Sequence, residues 1–207
     1  MELRRAGEAL EDLLTIFQEH LGDGTVDTQQ SFQPQYIGRQ LSFQLCSWFE
    51  RCQFSGADLS GCDFAGATLT QSNFTGATLD GATFERANAE RTLFLQAKLA
   101  KVCFKGVTLT QAIFQEADLS DADLSSAKMV QCNFQKALCS RANFSGCDLT
   151  YADFSQADLT EANFTGASMF RAVLHSIQEQ GATFTDRARA LGTDAELAEA
   201  EGWYANH

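Results

Sequence analysis

Ala57-Asp58-Leu59-Ser60-Gly61 and, far downstream, Ala162-Asn163-Phe164-Thr165-Gly166 are two copies of one five-residue unit. Between them the period never slips. Every fifth residue from Phe49 to Leu174 is Phe or Leu, or in a few units Ala, Met or Cys. Two positions before each stands a small residue, usually Ala, and the run makes 26 consecutive units. A period of five fits neither a helix nor a strand. It fits a solenoid, in which each unit buries its apolar side chain only by stacking on its neighbours.

Taking every fourth unit sorts the central residues by type. One column reads Phe54, Phe74, Phe94, Phe114, Phe134, Phe154, Leu174, and the one opposite reads Phe64, Phe84, Phe104, Leu124, Phe144, Phe164. The other two are Leu59, Leu79, Leu99, Leu119, Cys139, Leu159 and Phe49, Leu69, Ala89, Leu109, Met129, Leu149, Met169. Four units per square coil would place each residue above its counterpart, in ladders spaced by the roughly 4.8 Å of paired strands. The run then gives about six and a half coils and a rod about 30 Å long. The small slot also points inward, because four large side chains already fill each layer.

This pattern resembles the pentapeptide-repeat family, whose unit is Ala-(Asp/Asn)-Leu-X-X, over about two thirds of the chain. The resemblance implies an all-β solenoid, a right-handed quadrilateral β-helix of about 6–7 coils, with the small and central residues inside and the other three outside. It does not supply a function, because the family is functionally mixed. The expected organisation is an amphipathic N-terminal helix (1–22), a connector and N-terminal cap (23–46), the repeat (47–184) and a short C-terminal capping helix or tail (185–207).

Leu3, Ala6, Leu10, Leu13, Leu14, Phe17 and Leu21 recur at helical steps and form one apolar stripe, which Gly22 ends. The stripe either packs on the first coil as a cap or docks a partner or a second copy. Phe43, Trp48 and Phe49 are candidates for closing the core at that end. At the other end the period fails after Leu174, with Glu179 in an apolar slot, and Ala182 and Phe184 then return in phase. Thr193-Asp194-Ala195-Glu196 reads as a capping box, and Leu197, Ala200 and Trp203 could lay a helix across the open end or bind a partner.

The net charge of −12 is spread evenly, −4 in each of residues 1–46, 47–176 and 177–207, so the rod is only mildly acidic. No apolar run approaches the roughly 20 residues of a membrane span, and the N-terminus lacks a signal-peptide pattern. A cytoplasmic protein is expected. Of the seven cysteines, Cys52, Cys62, Cys132 and Cys147 fill the small slot and Cys139 a central one, as small hydrophobes would. Cys103 falls in an outward slot and is the expected reactive thiol.

No catalytic, cofactor or metal constellation emerges. His20, His175 and His207 stand alone, and no phosphate loop or dinucleotide fingerprint is present. Asp58, Asp63, Asp118, Asp123, Asp148, Asp153 and Asp158 share the slot before the central residue with Asn73, Asn88, Asn133, Asn143 and Asn163. That interchange points to local hydrogen bonding at the coil corner. Two acidic runs stand out nonetheless: Glu116, Asp118, Asp121, Asp123, and then Asp148, Asp153, Asp158, Glu161. Arg86, Arg91, Lys98, Lys101 and Lys105 interrupt them with a basic middle. Leu93 and Ile113 occupy one outward slot in adjacent coils with Leu95 beside them, a candidate protein-binding patch; Val130 and Leu138 are further outward apolar residues.

These features favour a non-enzymatic protein–protein interaction scaffold or adaptor, one version of which serves a bacterial secretion machine. Candidate partner-binding residues are Leu10, Leu13, Leu14, Phe17, Leu93, Leu95 and Ile113. The alternative comes from the resemblance: some pentapeptide-repeat proteins mimic DNA, bind DNA gyrase or topoisomerase IV, and confer quinolone or toxin resistance. They imply an acidic rod and a homodimer through the C-terminal end, with no direct contact to nucleic acid. On this chain the two acidic runs would form that surface.

Overall fold

A computed structural model describes residues 49–196. The expected N-terminal helix and connector, with Leu10, Leu13, Leu14, Phe17, Phe43 and Trp48, lie outside the described residues, as do Leu197, Ala200 and Trp203. Across the repeat, residue n pairs in parallel with residue n+20, from Gln53↔Asn73 through Asp158↔Gln178. Asn163–Phe164 and Thr183–Phe184 continue the pairing as short parallel strands. The chain is therefore a four-sided parallel β-helix, one unit to a side.

Each unit satisfies its own backbone, and residues 117–121 show how. The Ala117 N–H closes a turn on the Phe114 carbonyl at 3.0 Å, and the Asp118 N–H reaches down to Ala97 at 3.0 Å. The Leu119 and Asp121 N–H groups reach up to Leu138 and Ser140 at 2.7 and 3.0 Å. The fifth N–H, of Ser120, is left over at the corner, and the Asp118 carboxylate accepts it at 3.0 Å. Buried or half-buried backbone groups need such partners, which fixes what the slot before the central residue must carry.

At each corner the second turn residue has positive φ, from +51° to +72°, at every fifth position from Arg51 to Gly181. Positive φ at that position alone is the type II turn, for which glycine is the unstrained choice. Eighteen of these corners are not glycine, so most of the rod carries a modest left-handed strain. Stacking along the axis holds it.

The core is the set of four ladders. Rings of the Phe54 column lie parallel at centroid distances such as 4.6 Å (Phe54–Phe74) and 5.0 Å (Phe114–Phe134), and meet the opposite column edge-on, as at Phe134–Phe144, 5.7 Å. Stacked and edge-to-face geometries are the favoured ring arrangements. Central residues and small slots are almost all buried. Two small slots hold buried hydroxyls. Thr92 Oγ1 donates to the Leu69 carbonyl at 2.8 Å, and Ser72 Oγ donates to the Phe49 carbonyl. Cys132 and Cys147 use their S–H in the same way, toward Leu109 and Leu124. Burial pushes the Cys147 thiol up to about 12 and drives Cys132 and Cys139 higher still.

Phe184 stacks on Phe164 at 4.8 Å, and its outer side is covered by the Arg187 guanidinium, 5.7 Å from the ring centroid. Arg187 is held in turn by Glu179, through bonds of 3.0 and 3.3 Å. Glu179 thus leaves its apolar slot to anchor a cation–π lid. After the 3-10 turn Arg187–Arg189 the chain adds a further bridge, Val173↔Leu191, in a shortened register. Thr193, the first residue of the expected capping box, accepts the Ser176 N–H at 3.4 Å. Only residues 195–196 of the expected helix are described.

Candidate interaction surface

The residues flanking each central side chain point outward, so each wall carries two outward columns and each corner one. Wall one holds the Phe54 ladder, and walls two, three and four follow with those of Leu59, Phe64 and Leu69. On wall one the outward columns read Gln53, Asn73, Leu93, Ile113, Asn133, Asp153, Val173 and Ser55, Thr75, Leu95, Gln115, Gln135, Ser155, His175. That wall has a single carboxylate, and Asp153 is occupied by the Gln135 amide at 2.6 Å and the Ser155 hydroxyl at 2.6 Å. It has no Lys or Arg. Walls two, three and four each carry several acids and one lysine.

The structure brings Leu93 and Ile113 together as a parallel bridge pair, with Leu95 on the same wall. All three are half-buried. Asn73 and Asn133 bound them below and above in the same ladder. Along the edge shared with wall four run Arg51, Gln71, Arg91, Gln111, Gln131, Tyr151 and Arg171, a corner with bases and no acid. Its side chains bond along the axis: Arg91 Nε to Gln111 at 2.9 Å, and the Gln111 amide to Gln131 at 2.9 Å. The result is a flat wall with an apolar centre and one basic edge.

The acidic runs are scattered, because five residues make a quarter turn. Asp148 lies on wall four, Asp153 on wall one, Asp158 on wall two and Glu161 on the next corner. Glu116, Asp118, Asp121 and Asp123 stay closer, wrapping wall two toward wall three. Their charges already have partners within the rod. Asp121 takes Arg141 in two bonds of 2.7 and 2.8 Å, which hold its carboxyl below the usual range. Glu116 accepts the Gln96 amide at 2.9 Å, with the same effect. Lys101, Asp121, Arg141 and Glu161 occupy one corner in alternating sign. The slot-sharing Asp and Asn residues cap corners as Asp118 does, for example Asp148 to the Thr150 N–H at 3.1 Å and Asn163 to the Thr165 N–H at 3.0 Å. Where Lys98 fills that slot, Asp80 of the coil below accepts the Ala100 N–H at 3.0 Å.

Three features escaped the sequence reading, two exposed and one buried. Tyr151 and Phe170, each 46% exposed, pair edge-on at 5.8 Å at the basic corner. Leu191, 50% exposed, sits beyond Val173 at the end of wall one. His175 is buried, its Nδ1 accepting the Asp194 N–H at 3.1 Å, so it clasps the C-terminal segment. Leu138 is 49% exposed on wall two. Cys103 is half-buried in its outward slot. Among the described residues no group of His, Cys, Asp or Glu could hold a metal ion, and no helix is long and apolar enough to cross a membrane.

The pentapeptide-repeat family model matches the chain in overlapping segments: residues 49–86, 79–115, 103–138 and 137–175. No curated protein matches it in sequence. Among solved structures, a trypsin-treated variant of QnrB1, a plasmid-mediated fluoroquinolone resistance protein, aligns with a TM-score of 0.62 at 18% identity, over 79% of this chain and 88% of its own. HetL from the cyanobacterium Nostoc, involved in heterocyst differentiation regulation, aligns at 22% identity over 73% and 85%, with a TM-score of 0.34. A thylakoid-lumen pentapeptide-repeat protein of Arabidopsis thaliana aligns at 29% identity over 68% and 81%, with a TM-score of 0.24. The likeness to QnrB1 is one of fold.

Proposed function

Because this chain belongs to the pentapeptide-repeat family, whose members form right-handed quadrilateral β-helices, we propose that it is a non-enzymatic scaffold whose wall one binds a protein partner. The observation that carries this reading is the Leu93–Ile113 pair with Leu95, set in a wall with one carboxylate and no Lys or Arg. Leucine and isoleucine cannot accept the corner N–H that Asp or Asn takes in this slot, so these positions give up a local bond. Residues that forgo a structural role in a regular repeat while exposing apolar surface mark a contact surface. The basic corner supplies a charged rim, so the fitting partner is an amphipathic element with an apolar stripe and acidic flank. A secretion-machine component is one such partner.

The test is capture of partners from the native host with the wild type and with Leu93→Asp/Ile113→Asp. Both side chains are half-buried on the outside, so the rod stays folded while specific capture falls at least tenfold, about 1.4 kcal/mol. Unchanged capture by a folded variant defeats the reading.

A second reading, binding to DNA gyrase as a DNA mimic, is supported by the fold likeness to QnrB1 and by the acids wrapping walls two and three. The alternation of Lys101, Asp121, Arg141 and Glu161 weighs against it, because each carboxylate has a neighbouring cation along the axis. Gyrase supercoiling assays with and without a quinolone decide it: no binding and no protection removes this reading.

A further inference from the structure

We propose that in the partner-free protein wall one is covered by wall one of a second copy, the two rods lying antiparallel, so that dimer and partner compete for one surface. This rests on the reading of wall one as the binding surface and adds its regulation. The first argument is symmetry. The outward ladder reads Asn73, Leu93, Ile113, Asn133, each one coil above the last, which is the same chemistry in both directions. A twofold axis lying across the wall, midway between Leu93 and Ile113, turns the second copy upside down and keeps each column facing itself. Leu93 then meets Ile113 twice over and Asn73 meets Asn133, as an isologous contact requires. The apolar side chains leave water together, and at either end amide faces amide.

The second argument is charge. The same axis sets Arg91 against Gln111 and Arg51 against Tyr151, each within about 1 Å of level, and carries Arg171 past Phe49 of the second copy. No arginine of that edge meets another. The exposed Tyr151 ring receives a cation, and the Gln53 amide comes to Asp153, the wall's one carboxylate. The third argument is pitch. The wall repeats its outward slots about every 4.8 Å, whereas a helix repeats its stripe about every 5.4 Å. A surface of equal repeat stays in register along the whole wall, and a second copy has that repeat by construction. The overlap from Arg51 to Tyr151 is five coils, about 24 Å. A flat contact of that length stands at the small end of specific interfaces, so the dimer is weak and yields to a better-fitting partner.

The experiment uses the full chain without partner. Sedimentation equilibrium from low to high micromolar concentration should show monomer and dimer in exchange, with association at least tenfold weaker in Leu93→Asp/Ile113→Asp and the circular dichroism unchanged. Register is read with two single variants, Asn73→Cys and Asn133→Cys, each in a Cys46→Ser/Cys52→Ser/Cys103→Ser background, oxidised alone and as a mixture. The antiparallel register puts position 73 of one copy against position 133 of the other. Like positions stand three coils apart, about 14 Å, beyond the reach of a disulfide. The mixture should therefore give at least five times the disulfide dimer of either variant alone. Four results overturn the proposal: monomer throughout, association untouched by Leu93→Asp/Ile113→Asp, disulfides from one variant alone (a parallel dimer), or none from the mixture (an end-to-end dimer). Because no partner is present, the two readings fail separately. A monomer whose capture of a host partner still depends on Leu93 and Ile113 loses the dimer and keeps the binding surface; a dimer that captures nothing keeps the pairing and loses the partner.

Discussion

Replacing Phe134 by Ala tests whether the ring ladders hold the rod together. Phe134 is fully buried, stacked 5.0 Å from Phe114 and 4.6 Å from Phe154, and edge-on to Phe144 at 5.7 Å. Truncation removes the whole ring and leaves a void between two parallel neighbours. Such changes cost about 3–5 kcal/mol, of which lost ring geometry contributes about 0.5–1.5 kcal/mol per pair. Phe134→Leu is the control. Leucine already stands in the facing ladder at Leu124 and ends this one at Leu174, so that change should cost about 1–1.5 kcal/mol. Guanidinium unfolding followed by far-UV circular dichroism reads both. With a slope of about 4 kcal/mol/M for a chain of this size, the Ala variant shifts the midpoint down by about 1 M and the Leu variant by about a third of that. Because each coil touches only its neighbours, the Ala variant should also broaden the transition as the two ends uncouple. A loss below about 1 kcal/mol for Ala, or equal losses for Ala and Leu, would refute the claim that ring stacking sets the stability.

The corner accounting predicts that Asp158→Ala costs about 1 kcal/mol, because the Thr160 N–H and Ser140 hydroxyl lose an acceptor. Asp158→Asn, which keeps the oxygen toward Thr160, should cost less than half as much by the same titration. Burial raises the Asp158 carboxyl, but the bonds from Thr160 and Ser140 outweigh it, and Ser60 lowers Asp58 likewise. A folded pKa below the unfolded one near 3.9 gives stability that is complete above that value and lost as pH falls through the folded one. Thermal melts should therefore decline below about pH 4, and a decline from these groups that starts at higher pH contradicts the assignment. Lys136, at φ +58°, holds a left-handed corner, so Lys136→Gly should be neutral to stabilising by about 0.5 kcal/mol, whereas Gly146→Val at φ +67° should destabilise by about 1–2 kcal/mol in the same assay. In a Cys46→Ser background a thiol reagent should label half-buried Cys103 well before Cys132, Cys139 and Cys147, which react only on global unfolding; equal rates would contradict the buried placement.

The ladders were legible because a strict period forces every fifth side chain into one geometric role, and the Phe and Leu columns reveal which units share a wall. The meaning of Asp118 or Asn163 was legible for the same reason: a slot that accepts Asp and Asn alike needs an oxygen more than a charge. The acidic runs misled because nearness in sequence is not nearness here; Asp148, Asp153 and Asp158 face three different walls. Tyr151 was hidden because a left-handed corner accepts nearly any side chain, so its identity carried no pattern to break. Phe170 was hidden because its partner is Tyr151, one coil earlier. The Arg187 lid over Phe184 was unreadable because the register shortens after Phe184, and phase is the one thing the repeat teaches. The hydroxyl of Thr92 passed for filler in a slot defined only by size.

The separation of ring-bearing walls from leucine-bearing walls also limits how such a gene can grow or shrink. Losing one unit keeps the five-residue rhythm, yet it turns everything downstream by ninety degrees and sets phenyl rings against leucines in every later layer. Losing four units restores each ladder and only shortens the rod by one layer, about 4.8 Å. The heritable quantum of this protein is therefore the twenty-residue coil. Insertions and deletions that survive selection should come in that size, leaving Leu93, Leu95 and Ile113 on the same wall while moving them up or down relative to the ends.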